Sequence, residues 1–191
     1  MNYKEFCFLV RSDLWRYQGC AGVKPFLIAM LSPGFCYTFW MRLSAYLKLH
    51  PILKVVFYPV AKVILRHYKL KYGIAIHEQT RIGPGLFIGH FGGIVVHADI
   101  IIGKNCNLSH DVTLGESIRG ERKGCPAIGD NVYIGPGAKI FGRIKVGDDV
   151  AVGANCVVTK SVPDRAVVVG IPASVISLLG SRDYISRTDY E

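Results

Sequence analysis

The sequence of 191 residues carries little charge and, in its first third, almost no acid. Residues 1–73 hold eleven Lys/Arg against Glu5 and Asp13, a net +9, whereas residues 74–191 hold twelve residues of each sign and are neutral. With 50% hydrophobic and 19% charged residues, this is not a disordered polymer; it suits one compact domain plus an extension. No long apolar run is present. The longest charge-free stretch, Lys24 to Arg42, is broken at Pro33-Gly34 and falls short of the roughly 18–20 residues a membrane-spanning helix needs. Met1-Asn2-Tyr3-Lys4-Glu5-Phe6 leads into no long apolar segment with a cleavage site, so no signal peptide and a cytoplasmic location are expected. Cys7, Cys20, Cys36, Cys106, Cys125 and Cys156 include no CxxC pair, which argues against a zinc knuckle or a thioredoxin-type centre. No histidine follows His110, so the closely spaced late ligands of a three-histidine zinc site are missing and no metal is expected. The basic residues are interleaved with long aliphatics and match no recognition motif, which excludes nucleic acid as the expected partner.

What the sequence does have is a six-residue period. Aliphatics recur at Ile76, Ile82, Ile88, Val96, Ile102, Leu108, Leu114, Ile128, Ile134, Ile140, Val146, Val152 and Val158. Glycine follows eight of these thirteen, where composition predicts one or two. Such a period describes a prism of short parallel strands in which the first aliphatic of each hexad points inward and three hexads close one coil. The fifth positions Cys106, Val112, Val132, Ala138, Ile144, Val150 and Cys156 fit the narrow interior, so Cys106 and Cys156 are expected in the core. In this repeat the chain resembles the hexapeptide-repeat acyltransferases, whose fold is a left-handed parallel β-helix.

Residues 1–73 lack the hexad. Phe26–Met30, Tyr37–Lys48 and Ile52–Tyr68 read as amphipathic or apolar helices broken at Pro33, Pro51 and Pro59. They suit a cap on the first coil and, being basic as well as apolar, docking on the inner face of an anionic membrane. The expected organisation is therefore mainly β: a helical region at 1–73, a β-helix at 74–179 carrying a loop at 120–127, and a loose polar tail at 180–191.

The period also acts as a ruler for the histidines. His90 and His110 are third residues of the hexads at Ile88 and Leu108, so they fall on equivalent places in successive coils, about 4.8 Å apart in strand spacing. The first departure from the period is a two-residue insertion within Gly89-His90-Phe91-Gly92-Gly93-Ile94-Val95, a glycine-rich bulge where a ligand can approach backbone. The second is Gly120-Glu121-Arg122-Lys123-Gly124-Cys125-Pro126-Ala127, inserted after the hexad at Leu114 and expected just above His110. It suits a lid, a reach into a neighbouring subunit, or a tolerated insertion. His50, His67, His77 and His97 read as surface residues.

Acyl transfer from a thioester to an alcohol needs a base for the hydroxyl proton and a donor for the developing oxyanion. His90 suits the first role, with His110 as a second catalytic or orienting residue, and the backbone at Gly92 and Gly93 suits the other. Cys125 is an alternative nucleophile if Arg122 and Lys123 lower its pKa.

Gly89–Val96 and Asp111-Val112-Thr113-Leu114-Gly115 resemble serine acetyltransferases, in which the histidine matching His90 is the general base. In that family an aspartate precedes this histidine, a second histidine precedes the loop proline, and a further acid holds the serine amino group. Here those positions hold Gly89, Cys125 and Ala75, which points away from a zwitterionic acceptor. Ser109–Gly115, Cys125–Gly129, Ser12–Tyr17 and Phe39–Arg42 resemble the acetyltransferases of capsule, colanic acid and O-antigen clusters. That likeness implies an O-acetyltransferase acting on a saccharide, often lipid-linked, with Asp111, Arg122, Lys123 and Cys125 beside the acceptor. It also implies a homotrimer with acetyl-coenzyme A between subunits, near Gly135, Gly153, Ala154, Lys160, Gly170 and Pro172. Lys160 meets a phosphate on this reading or is simply solvated. Serine O-acetylation and a non-catalytic β-helix scaffold are the alternatives.

Overall fold

The hexads close as a three-sided left-handed prism, mainly β, with a helical region at its N-terminal end. The computed structural model describes residues 1–190, so Glu191, the last residue of the tail, lies outside the described residues. One face has five strands (Ile74–Ile76, Ile94–Val96, Thr113–Gly115, Lys139–Phe141, Val157–Val158). A second has four (Arg81–Ile82, Ile101–Ile102, Ala127–Ile128, Lys145–Val146). The third has six (Phe87–Ile88, Asn107–Leu108, Tyr133–Ile134, Ala151–Val152, Val167–Val169, Ser174–Ser177). All pairings are parallel except the last, where Ser174–Ser177 turns back antiparallel on Val167–Val169 and ends the solenoid edge. Twelve of the thirteen first-position aliphatics are buried and Ile82 is half-buried. Each full burial is worth about 1.5–3 kcal/mol, so the repeat itself supplies most of the drive to coil. Cys106 and Cys156 lie fully inside.

Five helices precede the prism: α1 (Tyr3–Gln18), α2 (Val23–Ala29), α3 (Pro33–Leu49), α4 (Pro51–Val56) and α5 (Tyr58–Tyr72). The prolines expected to break helices start them instead. Pro33, Pro51 and Pro59 stand in first turns, where a missing N–H costs nothing. Helix α1, not anticipated from the sequence, is set by a capping box between Asn2 and Glu5 and a left-handed Gly19.

The helices complete the first coil, which has no coil beneath it to satisfy its peptide groups. Tyr37 Oη donates to Ile76 O (2.7 Å) and accepts from Ile76 N; Tyr17 Oη does the same at Ile88. Asp13 accepts from Leu86 N, and Ser12 Oγ from Gly85 N. Arg42 donates to Gly83 O and Ile82 O while forking onto both Asp13 oxygens at 2.6 and 2.9 Å. Arg16 reaches Gly85 O and Asn107. Gly34 allows α3 this close, since a Cβ there would press on Ile88.

Four of the eleven basic residues of 1–73 are used inside the molecule, and the other seven are exposed. Arg16 and Arg42 are buried, and Lys48 and Lys62 pair with buried Glu78. The Lys62 and Tyr58 hydrogen bonds outweigh burial and bring the Glu78 carboxyl down to about 2. Among the described residues no single helix is long and apolar enough to cross a membrane; α2 and α3 meet the test only jointly, across a 109° bend.

The polar tail, expected to be loose, is a strap along the six-stranded face. Ser181 Oγ donates to Asn131 O, Tyr184 stacks on Tyr133 at 4.4 Å, Arg16 Nε donates to Ser186 O, and Trp15 Nε1 donates to Asp189. It ties the last coil to the helices at the other end.

Removing one partner of a buried pair strands the other charge. Arg42→Met is therefore expected to cost about 3–5 kcal/mol in urea unfolding, against under about 0.5 kcal/mol for the exposed Lys4→Met; equal losses would contradict the docking account.

Candidate active site

The two departures from the period sit on opposite edges of the five-stranded face. The chain enters that face through residues 89–93, 109–112, 135–138 and 153–156 and leaves it through 97–100, 116–126, 142–144 and 159–162.

On the entry edge, His90 and His110 are both exposed, with ring centroids 5.9 Å apart and planes at 83°. The two extra residues fall between Gly89 and Gly92. Gly92 O accepts from Asp111 N (2.7 Å), Gly73 packs beneath the bulge, and Phe91 leans on Tyr72 at 5.7 Å between ring centroids. Gly92 has φ +104° with open space where a Cβ would stand, so backbone conformation rather than crowding selects glycine there. Among the described residues, the N–H groups of Phe91, Gly92 and Gly93 donate to no protein acceptor, so three donors stand free beside His90. Farther along the same edge Gly135, Gly153, Ala154, Gly170 and Pro172 are small residues, with exposed Ile171 between the last two. A Cβ at Gly135 would meet Val152 O at 2.8 Å.

On the exit edge lie Arg122, Lys123, Cys125 and Lys160. The loop at 120–127 is therefore not above His110, because it leaves the far side of the five-stranded face. It folds back as a hairpin with Ser117 and Gly124 exchanging backbone hydrogen bonds, and Arg122 Nη1 donates to Thr159 O. Cys125 Sγ lies 3.2 Å from Nδ1 of His97, a residue expected to be a plain surface histidine. Burial first, then the Glu116 and Asp99 carboxylates, push the Cys125 thiol up. The expected activation by Arg122 and Lys123 does not occur, since the charges acting on the thiol are negative and Arg122 is spent on Thr159. Within one chain the histidine pair and the loop do not meet. A cavity of about 840 Å³ opens between α5 and the five-stranded face, lined by Leu65, Arg66, Ala75, Val95 and His97, and it includes neither His90 nor His110.

Lys139 was missed by sequence reasoning. It rises from the five-stranded face beside the entry edge and bonds Asp111 through Oδ1 (2.9 Å) and the carbonyl (2.5 Å). Its signal was its place, one position before the aliphatic Ile140 and one coil beyond Thr113.

Comparison with known proteins places this edge in context. The family described as bacterial transferase hexapeptide (six repeats) matches residues 126–160. A serine acetyltransferase of Staphylococcus epidermidis is 40% identical over 143 residues, 75% of this chain and 65% of that protein. The serine acetyltransferase of Brucella abortus strain S19 superposes with a TM-score of 0.76 at 31% identity, covering 94% of this chain and 72% of that one. The chain belongs to the serine acetyltransferase family. A structure of the Brucella protein holds coenzyme A, and the Neisseria gonorrhoeae enzyme has been solved with serine (TM-score 0.74, 29% identity, 92% of this chain and 70% of that one). The chain spans about 65% of the length of the Staphylococcus epidermidis relative.

Membership of this family overturns the expected saccharide acceptor and the polysaccharide-cluster assignment. Of the motifs that carried that expectation, Ser12–Tyr17 and Phe39–Arg42 supply the Asp13, Arg16, Tyr17 and Arg42 contacts that cap the first coil, and Cys125–Gly129 closes the loop on the exit edge, so none of these three marks a saccharide. The lipid-linked acceptor and the membrane contact fall with it, because the relatives are serine acetyltransferases.

Alkylation of Cys125 by iodoacetamide is expected to be slow at neutral pH and to accelerate only above the ordinary thiol range, followed by mass spectrometry of the Cys125 peptide. Fast labelling at pH 7 would contradict the raised pKa.

Proposed function

We propose that this chain transfers an acetyl group from acetyl-coenzyme A to the hydroxyl of serine. The observation that carries this reading is the His90–His110 pair set on a bulge with free backbone N–H groups, in a member of the serine acetyltransferase family. Imidazole accepts a proton near neutral pH, and His90 stands exposed where an acceptor can reach it. His90 takes the hydroxyl proton as the oxygen attacks the thioester carbonyl carbon. The tetrahedral oxyanion that forms is met by the N–H groups of Gly92 and Gly93, which have no other protein partner. Collapse breaks the C–S bond, the imidazolium returns its proton to the thiolate, and an O-acetyl ester and free coenzyme A leave. His110, edge-on to His90, orients the base or the acceptor. No acyl-enzyme is needed, which agrees with the raised Cys125 thiol. Coenzyme A lies along the entry edge at Gly135, Gly153, Ala154, Gly170 and Pro172, where small residues leave room for an extended ligand beside exposed Ile171. Lys160, on the exit edge, is not adjacent to that run.

Free-thiol release from acetyl-coenzyme A with serine as acceptor tests the reading. His90→Ala is expected to lower kcat by about 10²- to 10⁴-fold while coenzyme A binding persists. Unchanged turnover in His90→Ala would remove the mechanism, and absence of serine-dependent release in the parent chain would remove the acceptor.

A further inference from the structure

Asp111 occupies a left-handed corner position (φ +56°), as do Asn105, Asn131 and Asp149 on the corner between the four- and six-stranded faces. Those three are locked in a ladder: Asn105 Nδ2 donates to Asn131 Oδ1 and Asn131 Nδ2 to Asp149 Oδ1, each at 2.9 Å. On the entry edge the ladder is broken, because the corner residues of the coils on either side of Asp111 are Gly93 and Gly137. The Asp111 carboxylate therefore has no corner partner. It lies over the bulge, with Oδ1 3.0 Å from where a Gly93 Cβ would stand, and is met only by Lys139 Nζ at 2.9 Å. Its side chain is 62% exposed, and that of Lys139 31%. Exposed pairs contribute roughly 0–1 kcal/mol to stability, so this one opens at little cost. Across 89–93, 109–112 and 135–139, Asp111 and Lys139 are the only Asp, Glu, Lys or Arg residues.

An α-amino acid carries an ammonium and a carboxylate on one carbon, and a site that discriminates it needs one charge of each sign close together. From this juxtaposition we infer that Asp111 and Lys139 form the acceptor clamp. Asp111 receives the ammonium and Lys139 the carboxylate, exchanging their mutual contact for two contacts to the acceptor while its hydroxyl faces His90. The inference rests on the serine reading above.

The test compares kcat/KM of the full chain for serine, serinamide (no carboxylate) and 3-hydroxypropanoate (no ammonium), in the parent, Lys139→Gln, Lys139→Arg and Asp111→Asn. Loss of a charged hydrogen bond predicts a fall of about 10- to 100-fold on serine in Lys139→Gln and Asp111→Asn. Lys139→Gln should level the preference for serine over serinamide while keeping that over 3-hydroxypropanoate. Asp111→Asn should do the reverse, and Lys139→Arg should restore part of the serine rate. Proportional losses on all three acceptors, as a structural role would give, or no change at all, would overturn the clamp while leaving serine acetylation intact. A parent chain that acetylates none of the three would remove the serine reading and the clamp with it.

Discussion

Every coil of this molecule hydrogen-bonds to the next in register, and that constraint governs where anything else can be placed. A residue added within a strand would shift inward aliphatics outward along the rest of the coil. Additions are therefore confined to the corners, and a corner addition leaves backbone groups that the ladder no longer satisfies. The bulge at 89–93 is such an addition, and its free N–H groups lie next to His90. The same constraint leaves the first coil with unpaired peptide groups, and Tyr17, Tyr37, Asp13 and Arg42 answer them from the helices.

The helices and the tail are thus one clamp around the prism. Arg16 joins them, bonding the first coil through Gly85 O and the strap through Ser186 O. Burial drags its guanidinium pKa down, and its hydrogen-bond partners hold it in place nonetheless. Two of the eleven basic residues of 1–73, Arg16 and Arg42, follow from this construction. Helices that must bind carbonyl oxygens at the open end of a solenoid need donors, and arginine offers five in a fixed fork.

Much of the fold was legible because the period is a repeated statement: thirteen aliphatics and eight glycines say the same thing, and no single exception alters it. The His90–His110 juxtaposition was legible from the same count, although the insertion puts Gly92 in register with His110 and leaves His90 beside it on the bulge. The edge on which the 120–127 loop emerges was misplaced, because counting residues gives distance along the chain but gives no side of the face. The docking of the tail depends on single partners such as Tyr184 on Tyr133, which have no period to announce them. Lys139 was passed over because its place before Ile140 gains meaning only from what Gly93 and Gly137 withhold from Asp111, a relation across three coils. The acceptor was misread in part from Ser12–Tyr17 and Phe39–Arg42, which serve the capping of the first coil.

The central claim is that the extra two residues, rather than the solenoid as such, build the transfer site. Deleting Phe91 and Gly92 restores the six-residue spacing between Ile88 and Val96, leaves His90 in the chain and removes the bulge. Expected is a folded prism, with β-rich circular dichroism and cooperative unfolding, whose serine-dependent thiol release falls by at least about 100-fold, the scale of losing an oxyanion donor. A folded deletion variant that transfers acetyl groups at the parent rate would contradict the claim.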